Sequence, residues 1–247
     1  MKTRADQLLV SLGLAPTRAK AQALILAGKV YIGENRVDKA GSLVADIAEI
    51  GIRGEDHPFV SRGGVKLAGA LDAFVIDPTG KRCLDVGAST GGFTDCLLQR
   101  GAASVAAVDV GYGQLAHSLR VDPRVLVLER TNARELVPDT IGGTVDLVVV
   151  DASFIGLGKL LDGIARCTRP DGELVALVKP QFEVGRDEAT KSRGVVRDPE
   201  VRARAIAAAV TDVAKGGFTV LGTTDCVLPG PKGNVEAFVH ARRSLHE

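Results

Sequence analysis

The segment from Cys83 to Gly101 limits the possible folds more than any other part of the chain. The apolar residues Cys83-Leu84 lead into Asp85-Val86-Gly87-Ala88-Ser89-Thr90-Gly91-Gly92-Phe93-Thr94, and a helix-like stretch from Asp95 to Arg100 follows and stops at Gly101. A strand, a glycine-rich turn and a helix start in that order make a cradle. Glycine lets the backbone approach a ligand closely, and free N–H groups at a helix N-terminus attract a carboxylate or phosphate. From about residue 61 the pattern alternates strands and helices. Strands are expected at 82–86, 104–109, 125–128, 146–151, 173–178, 219–227 and 237–241, and helices near 65–74, 92–100, 114–120, 155–167 and 200–215. Runs such as Leu147-Val148-Val149-Val150 are apolar without alternation, as strands buried on both faces of a parallel sheet are. The expected architecture is a doubly wound α/β domain with ligands at the carboxyl ends of its strands.

Residues 1–60 read as a separate small unit. Arg4 to Ser11 is helical, with Leu8, Leu9 and Leu12 expected on one side; Thr17 is a good N-cap for a second helix, which Gly28 ends. Short strands are expected at 29–32 and around Arg36-Val37, joined by a turn through Gly33-Glu34-Asn35. The polar stretch Gly51 to Pro58 reads as the linker to a second domain, residues 61–247.

Composition excludes several classes. The 247 residues are 45% hydrophobic and 25% charged, enough for one sizeable domain and a small one. No run approaches eighteen consecutive apolar residues, and no apolar signal-peptide region follows Met1-Lys2-Thr3-Arg4-Ala5-Asp6, so a cytoplasmic protein is expected. Cys83, Cys96, Cys167 and Cys226 lie far apart without metal-ligand spacing, which predicts buried thiols in a reducing compartment and no metal. Net charge is only +1, but residues 1–40 carry seven basic against three acidic side chains, a local clustering that suits a phosphate-binding face.

Four charged residues sit at element ends: Lys66 at the start of the larger domain's first helix, Asp151 after the fourth strand, Lys179 after the fifth, and Glu236 at the opening of the last. Charged groups there are costly unless paired or used. Asp109 ends the second strand, 22 residues after Gly87, where an acid often binds a ribose diol. The spacing of Gly87, Gly91 and Gly92 departs from the dinucleotide fingerprint.

Asp85-x-Gly87-Ala88-x-x-Gly91-Gly92 resembles the first motif of class I methyltransferases of the FtsJ-like kind, whose ligand is S-adenosylmethionine. That resemblance implies a Rossmann-like fold with a mixed seven-stranded sheet. It places the cofactor carboxylate at the turn, with Gly87, Ala88, Ser89, Gly91, Gly92 and Phe93 among the binding residues, its ammonium near acids such as Asp85, its ribose at Asp109 and its adenine at Asn132, and it counts Asp151 among the cofactor-binding residues as well. Lys66, Asp151, Lys179 and Glu236 together are similar to the tetrad of FtsJ-like RNA 2′-O-methyltransferases, which implies a lysine base for a ribose hydroxyl; Lys179 is the proposed one, with Lys66 to stabilise charge on the oxygen, but sequence leaves open which of the two carries the proton. A lysine can act so only as the neutral amine, a form favoured by burial and a second ammonium and opposed by carboxylates.

Thr17 to Gly33 resembles the S4 RNA-binding module, of α+β structure. It implies RNA contacts at Arg4, Arg18, Lys20, Lys29 and Arg36, with Arg62 in the larger domain. An S4 module followed by an FtsJ-like domain is the layout of the TlyA family, described as haemolysin-like proteins and as ribosomal RNA 2′-O-methyltransferases acting on cytidines. The expected partner is therefore ribosomal RNA or a ribosomal subunit. Phe59, Phe154 and Phe182 are candidates for stacking on a flipped-out base, and His57-Pro58-Phe59-Val60 is a junction that could couple RNA docking to cofactor binding. A non-catalytic RNA-binding or assembly factor and a membrane-lytic protein are the competing readings; the intact tetrad and glycine turn oppose the first, and the lack of an apolar span opposes the second.

Overall fold

Two stretches of different periodicity build two separate cores, one within Met1–Asp56 and one within His57–Glu247. The computed structural model describes residues 2–33, 35–45, 50–52, 57–153, 155–183, 195–230 and 233–244.

The first unit contains β1 (Lys2–Arg4), α1 (Ala5–Ser11), α2 (Arg18–Leu26), β2 (Val30–Ile32), β3 (Asn35–Arg36), β4 (Leu43–Ala45) and β5 (Ile50–Ile52). β1 pairs with β4, while β2 is flanked by β3 and β5, all antiparallel. Leu8, Leu9, Ala21, Leu24, Ile25 and Val30 fill its core. Thr17 caps α2 by accepting from the Lys20 N–H, and Gly28 follows the helix at φ +69°. Two expectations need correction. Leu12 lies past the end of α1 and is 52% exposed instead of facing the core. Gly51 and Ile52 are not linker: they belong to β5, with Gly51 opposite Tyr31. Residues 53–56, the middle of the expected linker, lie outside the described residues.

The centre of this unit is one acid. Asp6 is fully buried, and its carboxylate accepts from Arg4 (Nε and Nη2, both 3.0 Å), Arg18 (Nε, 2.9 Å) and Gln22 (Nε2, 2.9 Å). The Arg4 guanidinium, then Gln22 and Arg18, hold this carboxyl well below the usual range even though burial opposes them. Asp6 thereby ties β1 and α1 to α2.

The second unit runs α3 (Arg62–Phe74), β6 (Arg82–Val86), α4 (Gly92–Gln99), β7 (Ser104–Val108), α5 (His117–Arg120), β8 (Val125–Leu128), β9 (Val145–Val150), α6 (Leu161–Cys167), β10 (Thr168–Val178), α7 (Pro180–Glu183), α8 (Pro199–Lys215), β11 (Phe218–Asp225) and β12 (Ala237–Arg243). Its seven strands lie in the order β11-β12-β10-β9-β6-β7-β8. The five strands from β10 to β8 are parallel, and β12 runs antiparallel between β10 and β11. Alternate residues of one strand serve opposite faces. Val148 and Val150 pack with Leu161, Ile164, Ala209 and Val213 of α6 and α8, while Leu147 and Val149 pack with Leu67, Leu71, Phe93 and Leu97 of α3 and α4. Both faces are covered, which is why these strands read as unbroken apolar runs.

The expected helix at 155–167 is instead a 3-10 turn at Leu157–Lys159 and then α6, in a stretch broken by Gly156 and Gly158. α5 is a single turn, and Glu236 precedes β12 instead of opening it. The four cysteines are free thiols; burial pushes those of Cys83 and Cys96 up to about 12, so neither is a reactive thiolate. Among the described residues, no helix is long and apolar enough to cross a membrane.

β6 carries an unusual burden. Asp85 is fully buried; its Oδ2 accepts from Thr94 Oγ1 of α4 at 2.7 Å, and its Oδ1 has no hydrogen-bond partner among the described residues. Burial, opposed by Thr94, pushes this carboxyl up to about 7.

Two stability predictions follow from these buried acids. Arg18→Ala removes a donor from Asp6 and should speed amide exchange across α1 and α2 on the order of tenfold, whereas exposed Lys20→Ala should leave it unchanged; hydrogen exchange on the full chain reads both. For Asp85, the unfolded chain releases its proton at lower pH than the folded one, so stability falls as pH rises from about 4 to 7. Asp85→Asn abolishes that loss. Its stability relative to wild type should improve by on the order of 3 kcal/mol between pH 4 and pH 8, measured by denaturant titration at each pH. A difference that does not change with pH would mean that the folded protein tolerates the buried charge.

Candidate active site

The parallel strands deliver their carboxyl ends to one edge of the sheet, and the antiparallel β12 begins at that same edge, with Ala237 opposite Val178. The turn after β6, Asp151 after β9, Lys179 after β10 and Glu236 before β12 therefore meet. α3 brings Lys66 to them from one face. A cleft of 840 Å³ is lined by Lys66, Asp151, Lys179 and Glu236 together with the turn residues Gly87, Ala88, Ser89, Thr90, Gly92 and Phe93.

The four charged groups form two ion pairs. Lys66 Nζ donates to Glu236 Oε2 at 2.5 Å, with side chains 9% and 1% exposed. Lys179 Nζ lies 2.5 Å from Asp151 Oδ1, with side chains 12% and 26% exposed, and also donates to Ser153 Oγ at 2.7 Å. Removing an ammonium from water is expensive, and each carboxylate here offsets that expense for one lysine. The arrangement can receive a proton, present positive charge to a developing oxyanion and orient an acceptor hydroxyl.

The cradle beside them is shaped by the backbone. Gly87 has φ +86°, and a Cβ there would lie 2.6 Å from the carbonyl oxygen of Asp151, so only glycine fits. The Asp151 N–H in turn donates to the Val86 carbonyl at 2.9 Å. Gly91 is the N-cap of α4 and no side chain caps the helix, so its first-turn N–H groups, at Gly92 and Phe93, border the cleft. Asp109 organises the turn: Oδ2 accepts from the Ser89 N–H at 2.8 Å and Oδ1 from the Gly111 N–H at 2.7 Å.

Not every residue singled out in the sequence lines this cleft. Asp85 does not; it is fully buried, and its Oδ2 accepts from Thr94 Oγ1 at 2.7 Å. Asn132 caps the 3-10 turn Ala133–Glu135, its Oδ1 accepting from the Arg134 N–H at 3.1 Å. Arg62 stands at the rim and donates to the Pro229 carbonyl at 3.1 Å. In the first unit, Arg4 and Arg18 are committed to Asp6, Arg36 pairs with Asp38 at 2.7 Å, and Lys20 is exposed while Lys29 is half-buried. Phe182 lines the cleft. Phe59 is a packing residue: a Cβ on Gly64 of α3 would come within 2.3 Å of its side chain, so it is pressed against the helix backbone. Phe154 lies outside the described residues. Ser153, Gln181 and Asn234 line the cleft without having been singled out. The available signal was position, since Ser153 and Gln181 each follow a tetrad residue by two places.

Comparison with known proteins agrees with this geometry. The FtsJ-like methyltransferase family matches residues 59–243, and the S4 domain matches residues 3–46. The 16S/23S rRNA (cytidine-2′-O)-methyltransferase TlyA of Mycobacterium tuberculosis is 51% identical over 98% of this chain and 90% of its own length. A solved chain from Streptococcus thermophilus that carries a hemolysin designation is 38% identical, with a TM-score of 0.76 over 98% of this chain and 89% of that one. An S-adenosylmethionine-dependent methyltransferase from Mesorhizobium loti, 17% identical with a TM-score of 0.52 over 71% of this chain and 96% of its own, shares the fold. With an S4 domain ahead of an FtsJ-like methyltransferase domain and close identity along nearly its full length, the chain belongs to the TlyA family.

Proposed function

We propose that this protein is an S-adenosylmethionine-dependent methyltransferase that modifies the ribose 2′-oxygen of a cytidine in ribosomal RNA. One observation carries the reading: both lysine–carboxylate pairs line the same cleft as the glycine turn. The donor set suits the cofactor. The turn leaves room where a side chain at Gly87 would block it, and the open start of α4 suits a carboxylate. Asp109 accepts two backbone N–H groups and keeps lone pairs for a ribose diol, and Asn132 follows β8, on the adenine side in this reading. S-adenosylmethionine, when bound, supplies a methyl group activated on sulfonium for in-line displacement by the hydroxyl oxygen.

The chain's own residues do the rest. Lys179, as the neutral amine, takes the proton of the ribose hydroxyl as its oxygen becomes the nucleophile. Asp151 and Ser153 fix the position of that amine, and much of the acceleration comes from alignment of acceptor and donor. Lys66, held by Glu236, presents positive charge to the oxygen as its proton leaves. RNA docking falls to Lys20, Lys29 and Arg36 of the S4 domain and to Arg62 at the cleft rim. The exposed Arg36–Asp38 pair is weak enough to yield to a phosphate. Arg4 and Arg18 serve this surface indirectly, through Asp6. Such an enzyme would work where ribosomes are, in the cytoplasm.

Labelled-methyl transfer to ribosomal subunits tests the assignment. Wild type should place label on a ribose, and Lys179→Ala, checked for folding by circular dichroism, should lower the rate by about 10²–10⁴-fold. Label on a base, or undiminished transfer by the variant, would reject the reading. The inner pair makes a second prediction. Glu236→Gln strands a buried ammonium and should cost roughly 3–5 kcal/mol of stability. The double variant Lys66→Met/Glu236→Leu should recover most of that in thermal melts while remaining inactive, which separates the pair's structural role from its chemical one.

A further inference from the structure

Gln181 sits in the first turn of α7, two residues beyond Lys179, and lines the cleft. Its side-chain oxygen is sheltered from solvent and, among the described residues, has no hydrogen-bond partner. A sheltered carboxamide oxygen without a donor is destabilising, and unsatisfied groups of this kind concentrate where a ligand completes them. The short helix that carries it is anchored on both sides of the residue: the Phe182 N–H donates to the Lys179 carbonyl at 2.9 Å, and Glu183 Oε1 accepts from the Leu157 N–H at 3.0 Å. These bonds fix the backbone from which the Gln181 side chain enters the cleft.

Strand order says which ligand completes it. The cradle lies at β6, Asp151 at β9, Lys179 and Gln181 at β10, and Glu236 at β12. Gln181 is separated from the cradle by the whole of β9 and stands on the lysine side, where the acceptor nucleotide must lie for Lys179 to reach its 2′-hydroxyl. The nucleobase is attached to C1′, the carbon next to C2′, so a group just beyond Lys179 is placed to meet the base. The needed partner is a hydrogen-bond donor. Cytosine carries an exocyclic amino group at the position where uracil carries a carbonyl oxygen, and two oxygens facing each other repel.

We infer that Gln181 reads the substrate base, its side-chain oxygen accepting a hydrogen bond from the 4-amino group of cytosine. The inference rests on the methyltransferase reading above and adds a specificity determinant to it. Single-turnover methyl transfer provides the test, using ribosomal subunits reconstituted with transcripts that carry either C or U at the mapped nucleotide. Wild type should favour C by on the order of tenfold to a hundredfold. Gln181→Leu should lower the rate on C by a similar factor, leave the rate on U nearly unchanged and so erase the preference. Gln181→Glu keeps an acceptor and should keep the preference. An unchanged C-to-U ratio in Gln181→Leu would overturn the inference and leave the methyltransferase reading intact, as would a variant whose defect lies in binding S-adenosylhomocysteine by calorimetry. No transfer by wild type to the C-containing subunits would overturn the methyltransferase reading itself.

Discussion

An ammonium group cannot be taken out of water alone, and Lys66 shows what this demands of a fold. Its partner Glu236 is 170 residues away, so the pair forms only when α3 and the start of β12 have both reached the sheet edge. That requirement accounts for the antiparallel last strand. Five parallel strands present their carboxyl ends to the cleft, and only a strand of opposite sense can present its beginning there. One interaction thus fastens the first helix of the larger domain to its last strand and sets the back wall of the site.

The two ion pairs differ in depth, and depth suggests a division of labour. The Lys66–Glu236 pair is almost sealed, so its charges are held rigid and weakly screened, suited to stabilising charge at a fixed point. The Lys179–Asp151 pair is more open on its carboxylate side and shares its ammonium with a serine hydroxyl, so it is the pair that a molecule entering the cleft meets with less rearrangement. Asp85, buried beside the glycine turn, is tied to Thr94 and so to the start of α4.

The sheet was largely legible from the chain because its signal is strong: consecutive apolar residues at 147–150 are compatible with little besides a doubly covered strand. The tetrad was legible because charge at the end of an apolar run is conspicuous. The strands β1, β4 and β5 were not, since three residues carry no period and, unlike the equally short β2, none of them is marked by a preceding helix-ending glycine and a following turn; Gly51 in β5 itself resembles turn chemistry. Asp85, Arg4 and Arg18 mark a second limit. Sequence reveals that a charged group is present but not which way its side chain turns: Asp85 turns inward, and Arg4 and Arg18 turn toward Asp6. Gln181 marks a third, because an uncharged amide becomes notable only when its neighbours are known to leave it unmatched.

The contact between Gly87 and the carbonyl of Asp151 has a consequence for anyone reshaping this pocket. The turn and the strand end that carries Asp151 approach so closely that a methyl group on Gly87 would overlap the Asp151 carbonyl. Efforts to accommodate a bulkier alkyl donor by remodelling the glycine loop would push directly on the backbone that aims the Asp151 side chain. Loop and ion pair are mechanically one part, so thickening the turn at Gly87 would displace the Asp151 backbone and, with it, the carboxylate that meets Lys179.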